Sequence, residues 1–196
     1  MELFKNLRLN FGKSILAKKE DKTARKVFYS NFQMIKSIGI IWDASVTADF
    51  AALSRFYQKM HEKNIDVKIL GFFPGKELPD QYTAVRYLTC LRKTDLNLFY
   101  HPVSSESENF IRFKFDILID INFKKLLPLQ YISSLSNASF KVGLFDSEST
   151  VSIFDFMMEI KNPVNVDNYL NQIVLYLEMI NSGTNITQNT VQTVNN

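Results

Sequence analysis

The chain has 196 residues, enough for one domain with a sizeable core, and its 46% hydrophobic and 22% charged residues exclude a disordered chain. A net charge of +3 is too small to point to nucleic acid as a partner. One cysteine, Cys90, excludes an intramolecular disulfide and any multi-cysteine metal site, and two histidines, His61 and His101, argue against a histidine-built one.

Residues 1–33 read as a basic, helical first unit. Leu3, Phe4, Leu7, Phe11, Ile15 and Leu16 recur at near-helical spacing, with lysine and arginine between them. Gly12 weakens the middle, so one interrupted helix or two short ones are expected. Lys5, Arg8, Lys13, Lys18 and Lys19 make the segment a candidate surface for an anionic membrane or a protein partner. The favoured reading is plainer: a helix packed on the domain, with a solvated basic face. There is no signal-peptide pattern and no apolar run of about 20 residues, the length that spans a bilayer. The expected location is therefore the cytoplasm, peripheral to the inner membrane if this segment meets lipid.

Residues 34–181 alternate strand and helix. Ile38–Trp42 is a short β-rich run ending in Asp43, with Ser45 or Thr47 available to cap a helix over 48–63 and Asn64 to stop it. Residues 66–73 are the second strand, and 74–81 form a loop with two prolines and a glycine. Residues 82–92 suit a short helix or a strand, 94–102 an extended segment, and 103–109 a polar stretch leading to a helical turn at 110–114. Residues 115–121 give the strongest strand pattern. A helix starting at Lys124 or Leu126 follows, with Pro128 in its first turn, and then a strand over 140–145. Residues 152–160 suggest one more strand, and 165–180 a final helix. The polar, uncharged residues 182–196 are expected to form a flexible tail.

This alternation implies an α/β fold: a Rossmann-like three-layer domain with a mostly parallel sheet of five to six strands and helices on both faces. In such sheets ligands bind beyond the carboxyl ends of the strands. The candidate ligand-binding residues are therefore Asp43, Ser45 and Thr47 after the first strand, and Asp120, Asn122, Lys124 and Lys125 after the central one. Pro74, Gly75 and Lys76 follow the second strand, and Asp146, Ser147 and Glu148 the later one. If Asp43 and Asp120 are neighbours, they are placed to share a proton, hold a cation or orient a hydroxyl. Helix capping and strand termination are the competing roles for each. No GxGxxG, GxxxxGK[ST] or GxSxG motif is present, so dinucleotide, P-loop and α/β-hydrolase chemistry lose their signatures. No catalytic residue, cofactor or metal is implied.

The stretch FDILIDINFKKLLPLQYISSLSNASFKVGLFD, with KSIGIIWDASVTADF before it, resembles the N-terminal half of heptosyltransferase-like glycosyltransferases of the GT-B fold. The chain is similar over 34–180 to an uncharacterised family of small Bacteroidetes proteins that share IGIxWD, the FDILID strand and the KVG segment. The first resemblance implies a fold, since a chain of this length has no room for a second nucleotide-sugar domain. The expected function is a non-enzymatic ligand-binding or protein-interaction module, with an unknown small molecule or protein as partner. The alternatives are an enzyme acting on a sugar, nucleotide or phosphorylated small molecule, and a peripheral membrane protein.

Overall fold

The apolar runs in the sequence form the middle of one sheet. The structure, a computed structural model, describes residues 2–20, 25–29, 31–146, 152–159 and 165–192. Ser147, Glu148, Lys22 and Pro163 lie outside the described residues, as do 193–196 of the expected tail. Six strands pair in the order β3-β2-β1-β4-β5-β6: β1 (Ser37–Asp43), β2 (Asp66–Phe73), β3 (Leu88–Arg92), β4 (Ile117–Ile121), β5 (Phe140–Leu144) and β6 (Phe156–Met158). Every neighbouring pair is parallel, as the alternating pattern predicts. The strand order reverses between β1 and β4. These central strands are covered on both faces, which is why SIGIIWD and ILIDI carry no polar alternation.

Helices α2 (Phe50–Glu62) and α6 (Val166–Gln192) cover one face, burying Leu53, Phe56 and Met60 with Tyr169, Ile173 and Leu177 against Ile38, Ile40 and Trp42. Helices α4 (Ser105–Arg112) and α5 (Leu127–Leu135) cover the other, where Phe110, Leu129 and Ile132 meet Ile41, Leu70 and Leu118. Asn64 ends α2 in the left-handed region at φ 59°. Ile65 N–H donates to Met60 O and Asn64 N–H to His61 O, which closes the last turn. Residues 80–92 supply both candidate elements, a one-turn helix α3 (Asp80–Thr83) and then β3.

Four local expectations are corrected. Neither Ser45 nor Thr47 caps α2, because the chain enters it through a 3-10 turn at Thr47–Asp49. Residues 94–102 are not extended. The Asn97 carboxamide oxygen accepts from Phe99 and His101 N–H and folds the segment into a turn, with Tyr100 at φ 61°. The polar stretch near 105 is a helix, capped by Ser104, whose hydroxyl accepts from Ser107 N–H at 3.2 Å, and it carries Glu106 and Glu108 in its first turn. The final helix runs on past residue 180 to Gln192.

A fifth correction concerns the N-terminus. Helix α1 (Glu2–Glu20) is continuous, and it lies outside the three layers, on α5. Gly12 does not break it but lets it approach. A Cβ at Gly12 would stand 2.5 Å from Phe99 O and 2.8 Å from a Leu127 methyl. The Tyr131 hydroxyl donates to Gly12 O at 2.8 Å, while Leu16 packs on Leu127 and Tyr131. The favoured packing of this helix on the domain is what the structure has.

Candidate functional site

The rim at the carboxyl ends of the strands is roofed on one side by α1. The sequence candidates lie along it, in two groups. Asp43, buried at the end of β1, accepts from Ser45 N–H at 3.1 Å and from the Ser45 hydroxyl at 2.5 Å through Oδ1. Its Oδ2 lies 3.2 Å from Lys124 Nζ. Thr47 is exposed. Asp49, which the sequence reading passed over, joins this group. Burial raises its carboxyl above the ordinary range; the nearby Trp42 indole opposes the shift, the Asp43 charge adds to it, and Lys124 opposes it. The group is Asp43, Ser45, Asp49 and Lys124, at the point where the strand order reverses.

Asp120 belongs to the second group. Ile41 is its partner across β1, so Asp43 lies beyond it along the rim. The two carboxyls take separate partners. Asp120 Oδ1 accepts from Asn122 N–H at 2.6 Å, and Oδ2 accepts a short bond from the buried Ser133 hydroxyl. Burial pushes its carboxyl up to about 6, against the pull of Ser133, Asn122 and the Lys141 charge. Lys141 sits in β5 and is fully buried, and its ammonium donates to Ser133 O at 2.7 Å and Ser134 O at 2.9 Å, the last carbonyls of α5. Burial, then the nearby Arg25 charge, pushes the amine down to about 8, while Asp155, Glu20 and Asp120 oppose this. Asp120, Asn122 and Ser133 line a cavity of about 600 Å3, with Glu20 of α1 on its far wall.

Asn122 and Lys125 shape the turn into α5. The Asn122 side chain accepts from Leu126 N–H at 2.9 Å and donates to Leu126 O at 3.1 Å, and Lys125 takes φ 53°. Lys125 Nζ pairs with Asp146 at 2.7 Å. Its side chain also reaches a larger cavity, of about 1110 Å3, on the other side of α1. Lys5, Arg8 and Lys13 of α1 line this cavity together with Lys93, which follows β3, and Lys125. Among the described residues, no carboxylate lines it. Arg8 Nε donates to Leu98 O at 2.5 Å, and its guanidinium lies 4.8 Å from the Tyr100 ring centre. Leu9, Phe72, Leu96 and Leu126 make the apolar wall, and the α5 N-terminus at Leu127 and Pro128 closes it. Lys18 is exposed, and Lys19 Nζ lies 3.2 Å from His101 Nε2.

Cys90 is a half-buried thiol, pushed up to about 12 by its burial. His61 stacks on Tyr57, and His101 packs edge-on against Tyr131. Among the described residues, no hydrogen bond joins either histidine to that thiol.

Sequence reasoning missed Lys93, Ser133 and Lys141. Lys93 follows a segment, 82–92, whose sequence suits helix and strand equally, so nothing in the sequence places its end on the rim. Lys141 had a visible signal, a lysine inside the apolar strand FKVGL, where an unpaired charge is costly to bury.

A parallel sheet in this order, covered on both faces and with polar turns and cavities at the strand ends, defines a Rossmann-like α/β domain. The chain belongs to DUF6913, a family of unknown function, whose family model matches residues 8–180 and so takes in most of α1 with the sheet. A search of curated proteins finds no significant match.

Proposed function

We propose that the protein is a non-enzymatic binding module whose larger cavity takes an anionic small molecule with an apolar part. One observation carries this reading: Lys5, Arg8, Lys13, Lys93 and Lys125 converge on one concave space from separate elements, with no carboxylate among its lining residues. Like charges in a cleft with low-dielectric walls raise the local potential, and a bound anion relieves it. Of the five, Lys125 is paired with Asp146, and Arg8 meets a carbonyl and a ring. Lys5, Lys13 and Lys93 have no ion-pair partner among the described residues. Among the described residues the walls offer no imidazole, thiol or carboxyl to move a proton, which favours binding over chemistry.

Inorganic pyrophosphate is a suitable probe. The melting temperature of the full chain should rise with pyrophosphate but not with sodium chloride at equal ionic strength. The doubly reversed variant Lys5→Glu, Lys93→Glu should lose the rise. A flat response in the wild type would sink the proposal.

A second reading, an enzyme acting on a sugar, nucleotide or phosphorylated small molecule, is favoured by one feature of the smaller cavity. Asp120, pushed up to about 6, lines it in contact with Ser133, a placement suited to proton transfer near neutral pH.

A further inference from the structure

We infer that the outward face of α1, with the Leu98 turn beside it, rests on an anionic phospholipid surface. The apolar residues of α1 form two stripes, not one. Leu9, Gly12 and Leu16 face the domain. Phe4, Leu7 and Phe11 recur at three- and four-residue spacing on another side and are 73%, 53% and 54% exposed. Leu98, 70% exposed, projects from the turn that Arg8 holds against the helix. The Phe11 ring lies 6.2 Å from Phe99 in the same turn, so stripe and turn stand side by side.

Charge decides what covers this face. From Phe4 to Lys19 the helix carries Lys5, Arg8, Lys13, Lys18 and Lys19 and no acidic residue. A second copy of the chain would bring the same positive field against it, and repulsion would oppose the contact. An anionic lipid surface offers both things the face needs: hydrocarbon for phenylalanine and leucine, and phosphate for the flanking lysines and arginine. Leu98, Lys5, Arg8 and Lys13 also line the cationic cavity, whereas Phe4, Leu7 and Phe11 do not, so substitutions in that stripe test this surface without touching the cavity.

The test is co-sedimentation of the full chain with vesicles of phosphatidylcholine alone, and of phosphatidylcholine mixed with an equal part of phosphatidylglycerol. The chain should pellet with the mixed vesicles only, and less so at high salt. Phe4→Ser and Leu7→Ser should each weaken this binding about tenfold, the size expected for taking one large apolar side chain out of the membrane. Both variants should keep the wild-type melting temperature and its response to pyrophosphate. Absence of pelleting with the anionic vesicles would overturn the inference, as would equal pelleting with phosphatidylcholine alone. So would unchanged binding by the double variant Phe4→Ser, Leu7→Ser. A lipid-free dimer that the double variant abolishes would assign the face to self-association instead.

Discussion

Gly12→Ala tests how α1 is held. On helix propensity alone the change should stabilise, since alanine exceeds glycine by about 1 kcal/mol inside a helix. The structure reverses the sign. The new Cβ would stand 2.5 Å from Phe99 O, a backbone atom that cannot swing aside, and 2.8 Å from a Leu127 methyl. Relieving such overpacking costs about 1–3 kcal/mol. Lifting α1 also stretches the bond from the Tyr131 hydroxyl to Gly12 O, worth about 1 kcal/mol. The net expectation is a loss of about 1–3 kcal/mol once the propensity gain is set against these terms. Chemical denaturation measures the global part, and hydrogen exchange across residues 2–20 measures how far α1 alone is released. The variant should unfold earlier, exchange faster in α1, or both. A variant that is more stable, with α1 amides as well protected as before, would refute the close-approach role of Gly12.

Three further outcomes follow from the buried titratable groups and one cap. Asp120 has a folded-state value of about 6 against an ordinary 3.8, so between these the native state binds more protons than the unfolded chain. This group therefore adds stability as pH falls from 7 towards 4, by about 3 kcal/mol in total for a shift of this size. In denaturation across that range the wild type minus Asp120→Asn difference should change in that direction, and a difference independent of pH would contradict it. His101 has the opposite sign: burial first, and then the Lys19 charge, lower its value, so its stabilising neutral form is lost as pH falls below the ordinary 6.5. Proteolysis within α1 should quicken in mild acid, and His101→Phe should blunt that quickening. Ser104→Ala removes the cap of α4 and should cost about 1 kcal/mol in denaturant unfolding, with Ser104→Asp restoring most of it.

Much of the fold was legible because the central strands are buried on both faces. Ile38–Trp42 and Ile117–Ile119 are apolar runs too short for helices and too continuous for an exposed strand, and each is followed by an aspartate at the rim. The stop at Asn64 and Pro128 in the first turn of α5 could be read because each has one backbone use. Tertiary contacts decided the rest. Gly12 looks like a helix breaker until Phe99, 87 positions away, is found against it. Phe4 and Leu16 share one periodic pattern, yet Leu16 is buried on the domain and Phe4 is exposed, because only the domain's position says which side is inside. Asp43 and Asp120 were paired by strand-end logic. Ser45, Lys124 and Ser133 give each its own partners, and a side chain 13 residues down the chain, Ser133, left no mark at Asp120. The cationic cavity was out of reach for the same reason: Lys5, Lys93 and Lys125 meet only when α1 is laid across the strand ends.

The most direct test of the binding role is to locate an anion. Crystals of the full chain soaked in tungstate, with anomalous scattering to place the metal, should show the oxyanion in the cavity between α1 and the ends of β2 and β3, within contact of Lys5, Arg8 or Lys93. A cavity without tungstate, while the ion occupies other surfaces, would contradict it.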